Sequence, residues 1–281
     1  MIKGWDMRLK AVIFDWAGTI IDFGSCGPMG VFVEAFASFG VEISITEARG
    51  PMGKPKRDHI ADLMALPRVA EAWRARHGYT VTDADIDRVY DVFVPMNVKV
   101  AANFAGLIPG AAETVAACRA RGLKIGSTTG YTREIMAPIL PIAAAQGYSP
   151  DNLVCAGDLA EGRPSPLMMY RTFADLGVYP PAAVVKVDDT APGIEEGLAA
   201  GTWTVAVAAS GNETGLSLSE WLALDTAGRE AAAAPARAKL KACGAHYVID
   251  TIAELEPVID AIEQRLASGE TPPAVTSPLP H

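Results

Sequence analysis

Lys10-Ala-Val-Ile-Phe-Asp-Trp-Ala-Gly-Thr19 sets a short apolar run directly against an acidic residue, then turns through a glycine to a threonine. Residues 11–14 are too few for a helix and of strand-favouring types, so they read as a buried central parallel strand. Its C-terminal end delivers Asp15, and in open α/β sheets that end is where ligands sit. A strand-end aspartate also serves simply to cap a turn, so Asp15 alone decides nothing.

Outward from this strand the pattern changes twice. After Gly24, Gly27 and Pro28, apolar periodicity at Met29, Val33, Phe36 and Phe39 predicts a helix closed by Gly40. From Thr46 to about Asn103 every segment stays helical, one after Pro55, one after Pro67 and a long one from the Thr82-Asp83 cap. Strands return at 124–127, 153–155, 184–187, 202–207 and 247–249 with helical stretches between them, the alternation of a parallel sheet covered on both faces. Pro109-Gly110 marks the return to that sheet and, with residues 24–28, forms a two-strand hinge. The expected architecture is α/β: a doubly wound parallel-sheet core over 1–24 and 105–267, interrupted by an all-helical cap over 25–104. Residues 268–281, with four prolines, are expected to be a disordered tail.

Composition excludes several classes. The 281 residues carry 24 Lys+Arg against 33 Asp+Glu, a formal charge of −9 and a pI near 5.0, with no basic stripe, so nucleic acid is not the expected partner. Mean hydropathy of +0.19 and 50% hydrophobic residues leave ample material for a core. The apolar run after the basic start meets Asp15 at once, which fits no signal peptide, and no window reaches membrane-span length; a soluble cytoplasmic protein is expected. Cys26, Cys118, Cys155 and Cys243 lack metal or redox spacing and read mostly as buried free thiols. The glycines of 24–30 are wrongly spaced for a dinucleotide loop.

The run Asp15-Trp16-Ala17-Gly18-Thr19 resembles the first motif of the haloacid dehalogenase superfamily. Together with Pro51-Met52-Gly53 followed by Lys56 and His59, Gly126-Ser-Thr-Thr-Gly-Tyr131, and Gly162-Arg163-Pro164, it resembles the phosphonoacetaldehyde hydrolase (phosphonatase) family over roughly residues 9–265. The resemblance implies a Mg²⁺-dependent hydrolase that cleaves the C–P bond of phosphonoacetaldehyde. Asp15 would be the nucleophile, with Asp15, the carbonyl of Ala17, Asp189 and Asp188 as metal ligands. Adjacent aspartates also cap helices, and some relatives place a second aspartate where this chain has Gly193. Thr129 and Gly130 would offer a hydroxyl and an amide to phosphate, and Arg163 a planar fork.

Position 17 carries an informative absence. Ester phosphatases of the superfamily usually place a second aspartate there as general acid for a departing alkoxide; here it is Ala17, which disfavours a simple ester phosphatase. Breaking a C–P bond instead needs an electron sink, which a lysine supplies by converting an aldehyde to an iminium. By resemblance that lysine is Lys56, its basicity expected to be lowered by Lys54 and Arg57, by exclusion of water and by a helix N-terminus. Met52, His59 and Tyr131 would surround the aldehyde, although Met52 serves equally well as packing. Ser25 stands where some relatives carry cysteine, with Cys26 beside it, and the sequence leaves open which faces the site. The family's members are homodimers joined through cap helices, for which Phe32 and Phe36 are candidates if they do not fill the cap's own core. The competing functions are a dehalogenase, another superfamily phosphatase, or a binding protein that has kept the fold and lost the chemistry.

Overall fold

A computed structural model of the chain describes residues 8–273; the sequence expectations for residues 1–7 and 274–281 lie outside these. Six strands, β1 (Ala11–Phe14), β2 (Lys124–Thr129), β3 (Val154–Cys155), β4 (Val184–Asp188), β5 (Trp203–Val207) and β6 (Tyr247–Ile249), pair in parallel in the order β3-β2-β1-β4-β5-β6. The chain leaves β1 toward β2 on one side and later returns to β4 on the other. β1 is thus the point where strand order reverses, and a crevice opens beyond its C-terminal end.

Burial explains why the strands read as continuous apolar runs. In β1, Val12 and Phe14 pack into one apolar layer while Ala11 and Ile13 pack into the opposite one, and all four are fully buried. The covering helices are α1 (Gly27–Ser38), α2 (Ile45–Arg49), α3 (Lys56–Ala65), α4 (Pro67–His77) and α5 (Asp83–Ala101) between β1 and β2. They continue with α6 (Ala111–Ala120), α7 (Arg133–Ala145), α8 (Leu167–Leu176), α9 (Ala191–Ala199), α10 (Leu218–Ala223), α11 (Thr226–Ala242) and α12 (Leu255–Ala267).

The first five helices enclose an apolar cluster of their own, built on Phe32, Phe36, Leu63, Trp73 and Phe93. Phe32 stacks on Phe93 at 4.2 Å, and both Phe32 and Phe36 are fully buried, so neither is available to a second molecule. α1 begins at Gly27, ahead of the expected Met29, because the Asp22 carboxylate accepts from the N–H groups of Cys26 at 3.0 Å and Gly27 at 2.8 Å. At the other end of the chain Glu270 pairs with Arg265 at 2.9 Å, so the stretch after α12 starts tied to it. All four cysteines are free, two buried and two half-buried. No helix among the described residues is long and apolar enough to cross a membrane.

Candidate active site

The C-terminal ends of β1, β2 and β4 converge, bringing Asp15, Thr129 and Asp188 together with Asp189. One carboxylate oxygen each from Asp15, Asp188 and Asp189 lies within 4.8 Å of the others, and all three residues are buried. Gly18 makes this possible: a Cβ there would stand 2.1 Å from Asp189 Oδ2, and its φ of +84° is one that glycine adopts freely. Gly193 plays the same part at the start of α9, where a Cβ would sit 2.0 Å from the Asp188 carboxyl carbon. A second aspartate at 193 would therefore not coexist with Asp188 in this position.

Charges around the cluster are arranged in a buried network. Arg163 Nη1 lies 2.8 Å from Asp15, its Nη2 3.2 Å from Asp188 and its Nε 3.1 Å from Glu196. Nη2 also donates to Thr128 O at 2.7 Å. Lys186, fully buried on β4, reaches Asp188 and Glu196 at 3.1 Å each and Thr128 Oγ1 at 2.8 Å. The carboxylates of Asp15, Asp188, Asp189 and Glu196 thus outnumber Arg163 and Lys186 in this buried network, and both cations contact Asp188 Oδ2. Hard oxygen donors with surplus negative charge suit a divalent cation, so this cluster can hold a metal ion.

The titration behaviour follows from that crowding. Burial and then the Asp188 charge push the Asp15 carboxyl up to about 6, against the pull of Arg163 and Lys186. Burial and the charges of Asp15 and Asp188 push Asp189 well above the usual carboxylate range. For Asp188 burial acts upward too, but Arg163 and Lys186 prevail and hold it below its ordinary value.

Across from the carboxylates stands Lys56, the first residue of α3 and 2% exposed. Its Nζ lies 3.7 Å from Met52 Sδ, 5.1 Å from the centre of the Tyr131 ring and 5.6 Å from that of Phe32. Burial lowers its pKa to about 8, with Arg163 adding to the effect and Asp15 opposing it. The expected contribution of Lys54 and Arg57 is corrected here: they turn outward, Lys54 to Asp62 at 2.5 Å and Arg57 to Asp87 at 2.6 Å. His59 shares the helix face of Lys56, stacks on Phe32 at 4.0 Å and bonds Ala48 O through Nε2 at 2.8 Å. Since a carbonyl only accepts, Nε2 carries the proton; burial and then Lys56 keep the ring's pKa well below that of a free histidine.

Asp15, Ala17, Ser25, Met52, Lys56, Thr129, Gly130, Tyr131 and Arg163 line one cavity of about 20 Å³, with His59, Asp188 and Asp189 outside its lining. The choice between Ser25 and Cys26 is resolved: Ser25 lines the cavity, whereas Cys26 Sγ turns to Phe23 O at 3.7 Å and Arg49 at 3.6 Å. A cleft of about 630 Å³, bounded by Pro55, Tyr90, Thr132 and Gly162, also touches Lys56. The segment before α3 seats tightly: a Cβ on Gly53 would lie 2.3 Å from Thr190 Oγ1, one on Gly130 2.9 Å from Lys54 O, and one on Gly162 2.4 Å from Pro55.

Lys186, Glu196, Thr128 and Asn212 were not anticipated. Lys186 offered a signal, a lysine inside an otherwise apolar strand, because such a charge needs a buried partner. Asn212, whose N–H donates to Asp189 Oδ2 at 2.8 Å, offered none.

Comparison with known proteins agrees with this fold. A sequence-family model of haloacid dehalogenase-like hydrolases matches residues 9–201. A phosphonoacetaldehyde hydrolase of Paraburkholderia xenovorans is 59% identical over 268 residues, 94% of this chain and 99% of that one. The one from Bordetella pertussis is 48% identical over 266 residues, 95% and 96% of the two chains. Among solved structures, a phosphonoacetaldehyde hydrolase-like protein from Oleispira antarctica superposes with a TM-score of 0.93 at 44% identity, covering 97% of this chain and 100% of that one. A β-phosphoglucomutase from Clostridium difficile, at 16% identity, TM-score 0.61 and coverage of 93% and 100%, shares the fold alone.

Proposed function

This chain belongs to the haloacid dehalogenase-like hydrolases and, within them, to the phosphonoacetaldehyde hydrolase family, and we propose that it converts phosphonoacetaldehyde and water to acetaldehyde and phosphate. The observation that carries this reading is the pairing of Lys56 with Asp15 across one small cavity. A carboxylate nucleophile alone would serve a phosphatase or a dehalogenase; a buried amine of lowered basicity facing it is what an aldehyde substrate needs.

In this reading the neutral Lys56 amine adds to the aldehyde and, with loss of water, gives an iminium. Asp15 attacks phosphorus, the C–P bond breaks, and its electron pair moves into the iminium to leave an enamine. Protonation of the enamine at carbon and hydrolysis release acetaldehyde and return Lys56, while water cleaves the aspartyl phosphate to phosphate and Asp15. Met52 and Tyr131 hold the amine away from water, and His59, which keeps its proton on Nε2, supports the helix face that presents it. Ser25, Thr129 and Gly130 bind phosphoryl oxygens from the lining of the cavity, and Arg163 holds Asp15 in line. Mg²⁺, held by Asp15, Asp189, Asp188 and the carbonyl of Ala17, supplies positive charge against the phosphoryl oxygens when bound.

Residues 25–104 act as a cap that opens and closes over a core formed by 1–24 and 105–267, with 268–281 as a dispensable tail. A cytoplasmic homodimer joined through cap helices completes the proposal, its contacts drawn from residues other than Phe32 and Phe36.

The test is reductive trapping. Borohydride added with phosphonoacetaldehyde should inactivate the protein and leave an adduct on the peptide containing Lys56, while Lys56→Arg should lose both the adduct and C–P cleavage. An adduct on Lys54 instead, or full activity after borohydride, would overturn the reading.

A further inference from the structure

Arg49, the last residue of α2, lies outside the machinery described above, yet its guanidinium bridges two separate segments, the turn at Gly24 and the loop after β5. Nη1 donates to Gly24 O at 2.7 Å and to Asn212 Oδ1 at 3.3 Å, and Nη2 donates to Gly215 O at 3.0 Å. Asn212 returns the contact through Nδ2 to Arg49 O at 3.3 Å. Among the described residues Arg49 forms no ion pair; its guanidinium meets carbonyl and amide oxygens and Cys26 Sγ at 3.6 Å, with the charges of Asp22 and Glu220 acting from farther away. A forked cation with several donors suits that task, and a lysine does not.

The segments it ties together are those on which the site depends. Beyond the nucleophile strand three of residues 22–25 have left-handed backbone, with φ of 55° at Asp22, 85° at Gly24 and 49° at Ser25. Two of these are not glycine, a conformation that costs about 1–2 kcal/mol per residue and persists only where surroundings impose it. Gly24 N donates to Ser210 O at 2.7 Å, and a Cβ on Gly24 would stand 2.1 Å from Leu216 O, so this segment is pressed onto the loop after β5. The same loop carries Asn212, whose N–H holds Asp189, and Ser210, whose hydroxyl donates to Gly18 O at 2.9 Å beside the acidic cluster.

We propose that Arg49 is a positioning residue: seated against Gly24, Asn212 and Gly215, it fixes the left-handed turn that presents Ser25 and steadies the loop that holds Asp189, so that the acidic cluster reaches its metal-binding geometry only when the helical layer is closed. The inference rests on the reading of Asp15, Asp188 and Asp189 as metal ligands. It makes a cap residue remote from the substrate an outer partner of the metal.

The experiment uses the full chain and measures Mg²⁺ binding by calorimetry, and amide hydrogen exchange over residues 22–27, in wild type, Arg49→Ala, Arg49→Lys, Asn212→Ala and a surface control, Arg68→Ala. Arg68 is half-exposed and pairs with Glu47 on the outside of the helical layer. The expected result is a roughly tenfold weaker Mg²⁺ affinity in both Arg49 variants, the low end of what outer partners of a metal contribute. Exchange at 22–27 should quicken by a similar factor, with a smaller loss of affinity in Asn212→Ala, which keeps its N–H to Asp189, and none in Arg68→Ala. A merely structural arginine would lower the melting temperature and leave both readouts unmoved, and that result would overturn the proposal. Should Arg49→Ala fail to fold, Arg49→Lys and Asn212→Ala decide. If wild type binds no Mg²⁺, the metal reading itself has failed, and unchanged exchange at 22–27 in the Arg49 variants would remove the clamp as well.

Discussion

Lys56 shows how much a single burial can do. An exposed lysine with a pKa near 10.4 is neutral in only a few molecules per ten thousand at pH 7, whereas at about 8 the neutral fraction is roughly a tenth. The free amine is the reactive form, so reactivity grows as protons leave. The rate of borohydride-trappable adduct formation should rise about tenfold per pH unit below 8 and level off above it, measured by rapid quench at saturating reductant. An inflection near 10 would mean that Lys56 behaves as a solvated lysine. The family resemblance around Pro51-Met52-Gly53 showed which lysine to examine, and the expected exclusion of water matches burial as the largest cause, but the neighbouring cations were wrongly chosen. Lys54 and Arg57 are neighbours along the chain, but their side chains go to Asp62 and Asp87 instead of the cavity. The effective cation is Arg163, over a hundred positions distant and brought close only by the fold.

At the level of elements, the docking of residues 50–55 against the sheet's crevice is set by glycines. Gly130 has ordinary backbone, so Gly130→Ala leaves β2 able to form, but its Cβ would meet the Lys54 carbonyl at 2.9 Å. Such overpacking costs about 1–3 kcal/mol, and if it falls on the closed state alone, kcat/KM should drop by roughly tenfold to a hundredfold with little change in melting temperature. Equal losses in both would show that Gly130 supports folding rather than closure. Strands and helices were legible because β1 is apolar on both faces and because Thr82 and Gly40 punctuate α5 and α1. The buried partners were not. Glu196 meets Lys186 only because α9 lies against β4, with Gly197 leaving its Cβ position to the lysine stem at 2.8 Å. Neither residue type nor spacing encodes that approach.

For the molecule as a whole, the excess of buried carboxylates links stability to metal. A ligand bound only by the folded state stabilises it by about 2.7 kcal/mol at a hundred times its Kd, which for a chain of this size corresponds to roughly 5–10 °C. Scanning calorimetry should show a saturable rise of that order with Mg²⁺, reversed by chelator and abolished in Asp189→Ala; a melting temperature indifferent to Mg²⁺ would detach the cluster from metal binding. The cavity of about 20 Å³ between Asp15 and Lys56 has a consequence of another kind. That volume accommodates one water and is too small for phosphonoacetaldehyde itself. A substrate of the proposed kind therefore has to part Lys56 from Asp15 as it enters, so that opening comes before chemistry in the order of events.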